Sequence, residues 1–431
     1  MTDRTLPNGV PPATLAVLLL SVFTVSIGYG IVLPLLPYLL ERLLGASGGP
    51  AQVARSTGLL TGLYTLSLFL FAPVWGWMSD RYGRRRILLL GLLGFGATTM
   101  TAAFIENLPA VYVERFLSGV FAAAVTPVAL AAIADLVTTE KARARQLTFV
   151  SLAGISGFLL GPMLGVYVAR GGASILATST PTGSLAFPLA GSAILAFLVA
   201  IGAAAAVPGK PPSAAGSSVQ RVTVQSGRWL VPRLLVLAFI VSAGVGVFEV
   251  GLALRGKQEL GLTQYQIALM FTECSLVMFV VQAAVFSPWV RPETTRWLIA
   301  PALGVLAASL LLVPRATDFR MMLAVIGAVA ASAGILSPIL TYWISSRAGA
   351  TQGAELGKQT AASSLGVTVG SAAGGLLFQV SWLPDASFVL ITGLTGAGFL
   401  LSLGLTKRLK GPPWNATSPA EMPRRGPGPL P

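Results

Sequence analysis

The hydrophobic positions of this chain form twelve long stretches, and short segments between them hold most of the charged residues. The stretches span residues 13–40, 57–79, 87–106, 110–134, 146–169, 184–207, 233–253, 264–287, 296–313, 318–344, 357–379 and 386–406. An α-helix rises about 1.5 Å per residue, so roughly 20 apolar residues cross a hydrocarbon core about 30 Å thick. The pattern predicts an all-α integral membrane protein with twelve transmembrane helices.

The composition agrees with a membrane protein, because 54% of the residues are hydrophobic and 10% are charged, against about 25% charged in soluble domains. The net charge of +14 is spread unevenly. Arginines and lysines concentrate in the two tails and in the turns after even-numbered helices, as loops on the cytoplasmic side usually do. The chain is therefore expected in a plasma (bacterial inner) membrane, with both termini cytoplasmic and the lipid bilayer as its surroundings. No basic patch interleaved with aromatic residues suggests a nucleic-acid partner.

The sequence offers little enzyme chemistry, since it has no histidine and one cysteine, Cys274. Histidine is the commonest general base and metal ligand. A membrane-embedded transferase would need acidic metal ligands or a nucleophile at the membrane surface, and the acids here are scattered. A glycine-rich phosphate loop ending in Lys-Ser or Lys-Thr is also missing. We expect a protein that is not an enzyme and uses no cofactor or metal, with the transferase as a less favoured alternative.

An internal repeat divides the chain into two halves. Residues 208–232 are rich in Pro, Ser and Gly and predict a cytoplasmic linker between six-helix bundles at 1–207 and 233–406, followed by a cytoplasmic tail at 407–431. Two glycine patterns recur in matched places: Ser26, Gly28 and Gly30 as Ser242, Gly244 and Gly246, and Gly157, Gly161 and Gly165 as Gly366, Gly370 and Gly374. Such repeats are typical of transporters whose bundles are related by a pseudo-two-fold axis around a central site. Small residues at this spacing also simply let helices approach closely.

The most charged turn, GWMSDRYGRRRIL at 76–88, lies between the second and third stretches. A positively charged membrane anchor would need only its arginines. The pattern G-x-x-x-D-R-x-G-R-R resembles the signature loop of the major facilitator superfamily, in the helix-turn-helix context that this motif requires. The resemblance is carried by Gly76, Asp80, Arg81, Gly83, Arg84 and Arg85. It implies a secondary active transporter that works by alternating access, with these residues as a conformational gate.

Three later segments narrow the resemblance. Arg115 with Ser118 and Gly119 is similar to the family's second motif, which is associated with proton coupling. Asp135 and Arg143, in IADLVTTEKARA, resemble the corresponding turn of tetracycline-type antiporters. The segment GFLLGPMLG resembles the helix-packing motif of drug:proton antiporters through Gly157, Gly161, Pro162 and Gly165.

These motifs are closest to the twelve-helix drug:proton antiporters. They imply a carrier that exports amphipathic, drug-like small molecules in exchange for protons. We expect this carrier to be a monomer. A facilitator or proton symporter for a sugar, metabolite or lipid is the alternative. Two departures matter: Val166 replaces the last family glycine, and the first helix lacks the acid that drug antiporters commonly carry. Proton coupling would then depend on the C-terminal half or on Glu114 and Arg115.

Ionisable residues within apolar helices are costly and are functional candidates by default. Glu273 lies nine residues into its helix, about 13 Å deep, and Glu249 lies in the outer part of the seventh helix. Both are candidates for proton coupling, together with Arg115 and Glu114. Structural pairing is the alternative for the two glutamates, and a local ion pair or snorkelling to the interface is the alternative for Arg115.

The repeat also suggests residues of a substrate cavity. Tyr64 of the second helix corresponds to Glu273 of the eighth, so we expect both to face the centre. Phe279 and Gln282 follow on broadly the same side of the eighth helix. Aromatic and apolar walls with one acid suit an amphipathic cation or a neutral lipophile, although aromatics in such helices are often lipid-facing or core residues.

Asp80 is expected to act as a latch between the bundles. The N-terminus of the eleventh helix, near Gly357, presents unpaired N–H groups and a partial positive charge. The Asp80 carboxylate could dock there when the cytoplasmic side closes, with Arg84, Arg85, Asp135 and Arg143 competing for it. The contact would break when that side opens.

Overall fold

The computed structural model describes residues 10–45, 48–137, 140–175, 181–209, 230–285, 292–347, 352–378, 380, 383, 385–405 and 409. This part of the chain forms twelve long α-helices, which confirms the predicted all-α architecture. They are α1 Pro12–Leu44, α2 Pro50–Tyr82, α3 Arg84–Ala102, α4 Leu108–Leu136, α5 Glu140–Ile175, α6 Pro181–Ala206, α7 Leu230–Gln258, α8 Gln264–Val285, α9 Ile299–Leu312, α10 Phe319–Arg347, α11 Gln352–Leu376 and α12 Ala386–Leu403. Most of the predicted linker and tail lies outside the described residues.

Local sequence explains several helix ends. Pro12 and Pro50 occupy the first turns of α1 and α2, where a missing N–H is tolerated. Asn107 caps α4 by accepting a hydrogen bond from the Ala110 N–H at 2.9 Å. Gly83 ends α2 with a φ of 95°, a backbone conformation that glycine adopts without steric cost. These residues determine where the helices begin and end, which the hydrophobic pattern predicts only approximately.

Ten helices in the described part of the chain are long and apolar enough to cross a membrane. The other two, α3 and α11, are less apolar over their full length, because α3 begins with three arginines and α11 is rich in Gly, Ser and Thr. Short 3-10 segments at Pro292–Leu298 and Val313–Arg315 extend α9 on both sides. Both helices pack among the ten apolar helices, so we assign α3 and α11 to the same membrane-spanning region.

The hydrophobic core forms two main clusters, one for each half of the sequence. The first cluster is built from residues between Val10 and Val207. The second is built from residues between Leu230 and Leu409, with Leu33 of α1 as the exception. Two six-helix bundles therefore pack around separate cores.

Each bundle is held by a helix pair whose backbones touch at glycines. In the first bundle, a Cβ on Gly157 of α5 would lie 2.5 Å from the Phe23 carbonyl oxygen of α1, and one on Gly161 would lie 2.8 Å from that of Ile27. In the second, Gly366 and Gly370 of α11 press against α7 in the same way. The glycine repeat found in the sequence thus corresponds to equivalent packing of α1 on α5 and of α7 on α11, with the close approach that small residues allow.

The bundles meet along two seams, α2 against α11 and α5 against α8. We call the side with the α2–α3 turn the α2–α3 face, and the side with the α1–α2 and α7–α8 turns the α1–α2 face. The seams are tight towards the α1–α2 face: a Cβ on Gly58 of α2 would lie 2.5 Å from the Ser371 carbonyl oxygen and 2.6 Å from Gly375 Cα. Thr65 and Thr368 share a hydrogen bond at 3.0 Å nearer the membrane centre.

The bundles diverge towards the α2–α3 face. Gly76 lies on the same side of α2 as Gly58, five helical turns further on, and a Cβ there would meet no atom of the described residues within 4 Å. The same holds for Gly357, on the α2-facing side of α11. Within the described part of the chain, the bundles are therefore closed at the α1–α2 face and separated at the α2–α3 face.

Candidate functional site

A cavity of about 240 Å³ lies between the bundles near the middle of the helices. Its walls come from α1, α5, α7, α8 and α10 and are mostly apolar, with one acid, Glu249 of α7. The lining residues are Tyr29, Gly154, Ile155, Phe158, Val245, Phe248, Glu249, Phe271, Cys274, Ser275, Met278, Val329, Ala330 and Ala333. The Ser275 hydroxyl is satisfied within α8, since it donates to the Phe271 carbonyl at 2.9 Å.

Three aromatic rings stack along one wall of this cavity. Tyr29 lies 5.2 Å from Tyr64 and 5.8 Å from Phe158 between ring centroids, with interplanar angles of 17° and 26°. Phe158 and Tyr29 both line the cavity, so the stack ends at its surface. The Tyr29 hydroxyl donates a hydrogen bond to Oε2 of Glu249 at 3.0 Å. A first-bundle tyrosine thereby holds a second-bundle carboxylate.

Glu114 and Arg115 form a buried ion pair in the first bundle. Arg115 Nε lies 2.6 Å and Nη2 lies 2.7 Å from the two carboxylate oxygens of Glu114. Both side chains are less than a tenth exposed, so the pair is local and does not snorkel to the interface. The guanidinium lies 5.9 Å from the centre of the Tyr64 ring, at cation–π distance. Tyr64 is thus the member of the aromatic stack that contacts this ion pair, because its ring lies between Tyr29 and Arg115.

Glu273 of α8, predicted to face the centre, lies on the opposite side of its helix from the residues that line the cavity. The helix contributes Phe271, Cys274, Ser275 and Met278 to the cavity wall. Glu273 is two residues from both Phe271 and Ser275, roughly 200° around the helix, so its side chain points away from the cavity. Its Oε1 would lie 3.8 Å from a Cβ on Gly327 of α10, and its buried Oε2 has no hydrogen-bond partner among the described residues.

Phe279 and Gln282 also lie outside the set that lines the cavity. Gln282 is on the same side of α8 as Met278, one turn nearer the α2–α3 face, and both residues are half-buried. Of the predicted cavity and coupling residues, Glu249 lines the cavity, and Tyr64 contacts its wall through the Tyr29 ring.

The charged turn forms an ion network inside the first bundle. Arg84 pairs with Asp80 and also, through Nε, with Asp135 Oδ2 at 2.9 Å. The Asp80 side chain is 66% exposed. Arg84 Nη1 further donates to the Ser79 hydroxyl at 2.5 Å. The turn is thus tied to the end of α4 by Asp135.

The remaining arginines of the turn point elsewhere. Arg81 lies at cation–π distance from the exposed rings of Trp77 and Tyr82, 5.8 Å and 6.0 Å from their centres. Arg85 Nη1 would lie 3.4 Å from a Cβ on Gly209, which follows α6. The side chain of Arg143 lies outside the described residues.

Polar contacts close the α1–α2 face. Lys257 of α7 donates to the Pro37 carbonyl of α1 at 3.1 Å, pairs with Glu41 and lies 4.6 Å from the Tyr38 ring centre. The Tyr38 hydroxyl donates to the Leu262 carbonyl at 2.6 Å. Every one of these bonds joins one bundle to the other.

The end of α7 that carries Lys257 is anchored to the second bundle by Arg255. Its Nη1 lies 2.5 Å from the Glu259 carboxylate and 3.4 Å from that of Asp385, which precedes α12. Burial raises the pKa of Glu259, and Asp385 adds to this effect, while Arg255 opposes it. This anchor keeps Lys257 aimed at α1.

Sequence reasoning missed Tyr29 and Phe158, although the repeat contains a signal for both. Tyr29 lies between Gly28 and Gly30, and Val245 lies between the matching Gly244 and Gly246. Both of these central residues line the cavity. Phe158 likewise lies directly beside a packing glycine, Gly157. Because the glycines contact a neighbouring helix, the residues beside them face the space between the bundles.

Comparison with known proteins agrees with this architecture. Multidrug resistance protein 2 of Bacillus subtilis (strain 168) is 26% identical over 390 residues, covering 88% of this chain and 92% of the relative. Quinolone resistance protein NorA of Staphylococcus aureus (strain COL) is 25% identical over 392 residues, covering 90% and 95%. The crystal structure of a D-xylose-proton symporter shares the fold, with a TM-score of 0.73, 17% identity and coverage of 92% and 99%. The family model of the Major Facilitator Superfamily matches residues 18–354, so this chain belongs to the major facilitator superfamily and is a multi-pass membrane transporter.

Proposed function

We propose that this transporter exports flat, amphipathic cations in exchange for protons, with Glu249 as the residue that receives the positive charge. The observation that supports this best is the cavity itself, in which a single carboxylate stands beside the end of an aromatic stack. The relatives named for multidrug and quinolone resistance support the same substrate range. Alternating access would carry the cargo from one face to the other.

The cavity walls favour such a cargo on chemical grounds. A flat aromatic ring can extend the stack at Phe158, and aromatic pairs contribute about 0.5–1.5 kcal/mol beyond their buried area. A positive charge can pair with Glu249, because a buried carboxylate needs a partner. A sugar would instead need many hydrogen-bonding groups, and the Ser275 hydroxyl is already satisfied within its own helix. The symporter alternative therefore has less support from the wall.

The proposed direction is outward from the cytoplasm. The α2–α3 face carries the arginine-rich turn, so the positive-inside bias supports placing it in the cytoplasm. The open cavity would then accept cargo from the cytoplasm or the inner leaflet. Proton binding at Glu249 after release would reset the carrier, which is the exchange that an antiporter needs.

The test is Glu249→Gln, measured as dye export in proteoliposomes with an imposed pH gradient. A planar aromatic cationic dye such as ethidium is the cargo. Removing the carboxylate should lower gradient-driven export at least about tenfold, since contacts to charged groups contribute about 1.5–3 kcal/mol. Glu106→Gln, an exposed acid between α3 and α4, is the matched control and should export normally.

Glu273→Gln distinguishes the roles of Glu249 and Glu273 in proton coupling. If Glu273→Gln abolishes the dependence on the gradient while Glu249→Gln keeps it, proton coupling belongs to the α8–α10 side. Export by Glu249→Gln at the wild-type rate contradicts the proposed role of Glu249. Transport of the dye that ignores the gradient in the wild type would support the facilitator alternative instead.

A further inference from the structure

The hydrogen bond from Tyr29 to Glu249 joins the two bundles inside the cavity. Its donor lies on α1 and its acceptor lies on α7, with 3.0 Å between the oxygens. Both residues line the cavity, near the middle of their helices. The bond is thus a link between the bundles at the place where cargo would sit.

Other described bonds between the bundles have acceptors that do not line the cavity. One of them, between the Thr65 and Thr368 hydroxyls, lies in the α2–α11 seam. Tyr38 donates to the backbone carbonyl of Leu262 and Gln258 donates to that of Pro50, both at the α1–α2 face. The pair of Lys257 with Glu41 is also at that face, and the Glu41 side chain is 64% exposed. A cationic cargo in the cavity would not reach these acceptors. It would reach Glu249.

The Tyr29 ring is held firmly in the first bundle. It is stacked between Tyr64 of α2 and Phe158 of α5, with centroid distances of 5.2 Å and 5.8 Å. The tight glycine contacts of α1 with α5 fix the same helix. Opening of the α1–α2 face would carry Glu249, on α7, away from this fixed ring and would break the bond.

We propose that Tyr29 is a positioning residue that links occupancy of the cation site to closure of the α1–α2 face. In the empty carrier, its hydroxyl ties the Glu249 carboxylate to the first bundle and favours the closed α1–α2 face. A cargo cation that pairs with Glu249 replaces this hydrogen bond and releases α7 from α1. This inference rests on the proposed cation transport, and it adds the route by which the site signals to the gate.

The expected size of the link follows from its chemistry. A hydrogen bond to a charged group changes an equilibrium by roughly tenfold or more. A ligand can shift a conformational equilibrium only through contacts that differ between the two conformations. The Tyr29–Glu249 bond is such a contact. When the bond is present, cargo should therefore raise the ratio of open to closed α1–α2 faces about tenfold.

The experiment measures this opening directly by the distance between two spin labels. Glu106 between α3 and α4 and Arg320 at the start of α10 are both exposed at the α1–α2 face, one in each bundle. Both are changed to cysteine for labelling, in a Cys274→Ala background that is first shown to bind ethidium. The full-length protein is measured in lipid nanodiscs with and without ethidium, as this parent, with Tyr29→Phe and with Tyr38→Phe.

Without cargo, Tyr29→Phe should raise the population with an open α1–α2 face about tenfold. Adding ethidium should then increase this population little further. Tyr38→Phe is the matched control, because it removes a tyrosine hydroxyl from the same helix and from another inter-bundle bond. It should also favour opening, but ethidium should still open it as it opens the parent. This difference in cargo response is one that a merely structural role would not produce.

The outcomes separate the inference from the proposed function. If ethidium binds the parent and opens Tyr29→Phe as strongly as it opens the parent, the inference is overturned. It is also overturned if ethidium binds the parent without changing the label distance. If ethidium does not bind the wild-type protein by fluorescence titration, the proposed function fails first.

Discussion

Gly58→Leu should abolish transport while leaving the protein folded and inserted in the membrane. A Cβ at this position would lie 2.5 Å from the Ser371 carbonyl oxygen and 2.6 Å from Gly375 Cα, and these backbone atoms cannot move aside as a side-chain tip could. Overpacking of this kind costs about 3 kcal/mol, which changes a population ratio by roughly 100-fold. The cost applies only when the α1–α2 face is closed.

The spin-label pair at positions 106 and 320 should therefore report an open α1–α2 face in Gly58→Leu with and without cargo. Gly393→Leu is the control, since a Cβ on this exposed glycine of α12 would meet no atom within 4 Å. It should transport normally. A Gly58→Leu protein that still closes and transports would show that the α2–α11 seam is not part of the moving interface.

Asp80→Asn should retain folding and membrane insertion but lose most transport, because we propose that Asp80 stabilises the closed α2–α3 face. In the described conformation its side chain is 66% exposed, and a Cβ on either Gly76 or Gly357 would meet no atom of the described residues within 4 Å. Closing this face would bring the carboxylate to the N-terminus of α11. A negative charge there contributes up to about 2 kcal/mol in a partly buried site, so losing it shifts the closed population by tenfold or more.

The measurement is dye export together with the same label distance. Asp80→Asn should keep the α1–α2 face closed under conditions that open it in the parent. Asp318→Asn is the matched change at the opposite face, where Asp318 caps α10 through the Met321 N–H at 2.8 Å. This control should lose some stability and keep its transport. Equal export by Asp80→Asn and the parent would rule out the latch.

The helices could be predicted because hydrophobic length alone determines a membrane span. The predicted stretches and the described helices agree to within a few residues at most ends, and the largest difference is α2, which starts at Pro50 and not near 57. The eleventh stretch was predicted at 357–379 from its apolar residues, and α11 begins five residues earlier, at Gln352. The glycines of α11 are needed where it packs on α7 and α2.

The site could be predicted only in part. The depth of a residue in the membrane follows from counting residues along its helix, whereas the direction of its side chain depends on how the helix is rotated about its axis. Glu273 and Cys274 have nearly the same depth, yet Cys274 lines the cavity and Glu273 faces the side of α10. The pairing of Glu114 with Arg115 was foreseen as an alternative because the residues are adjacent. The contact of Tyr29 with Glu249 joins helices that are far apart in sequence, and local patterns do not predict such pairs.

Cys274 gives the unmodified protein a chemical handle on its own cargo site. It is the chain's single cysteine, and its buried thiol belongs to the wall of the cavity. Any covalent adduct of a thiol reagent with the native chain therefore marks that wall, without engineered residues. Cargo that fills the cavity should slow formation of this adduct, so intact-mass measurements on wild-type protein could rank unknown compounds by how well each protects Cys274.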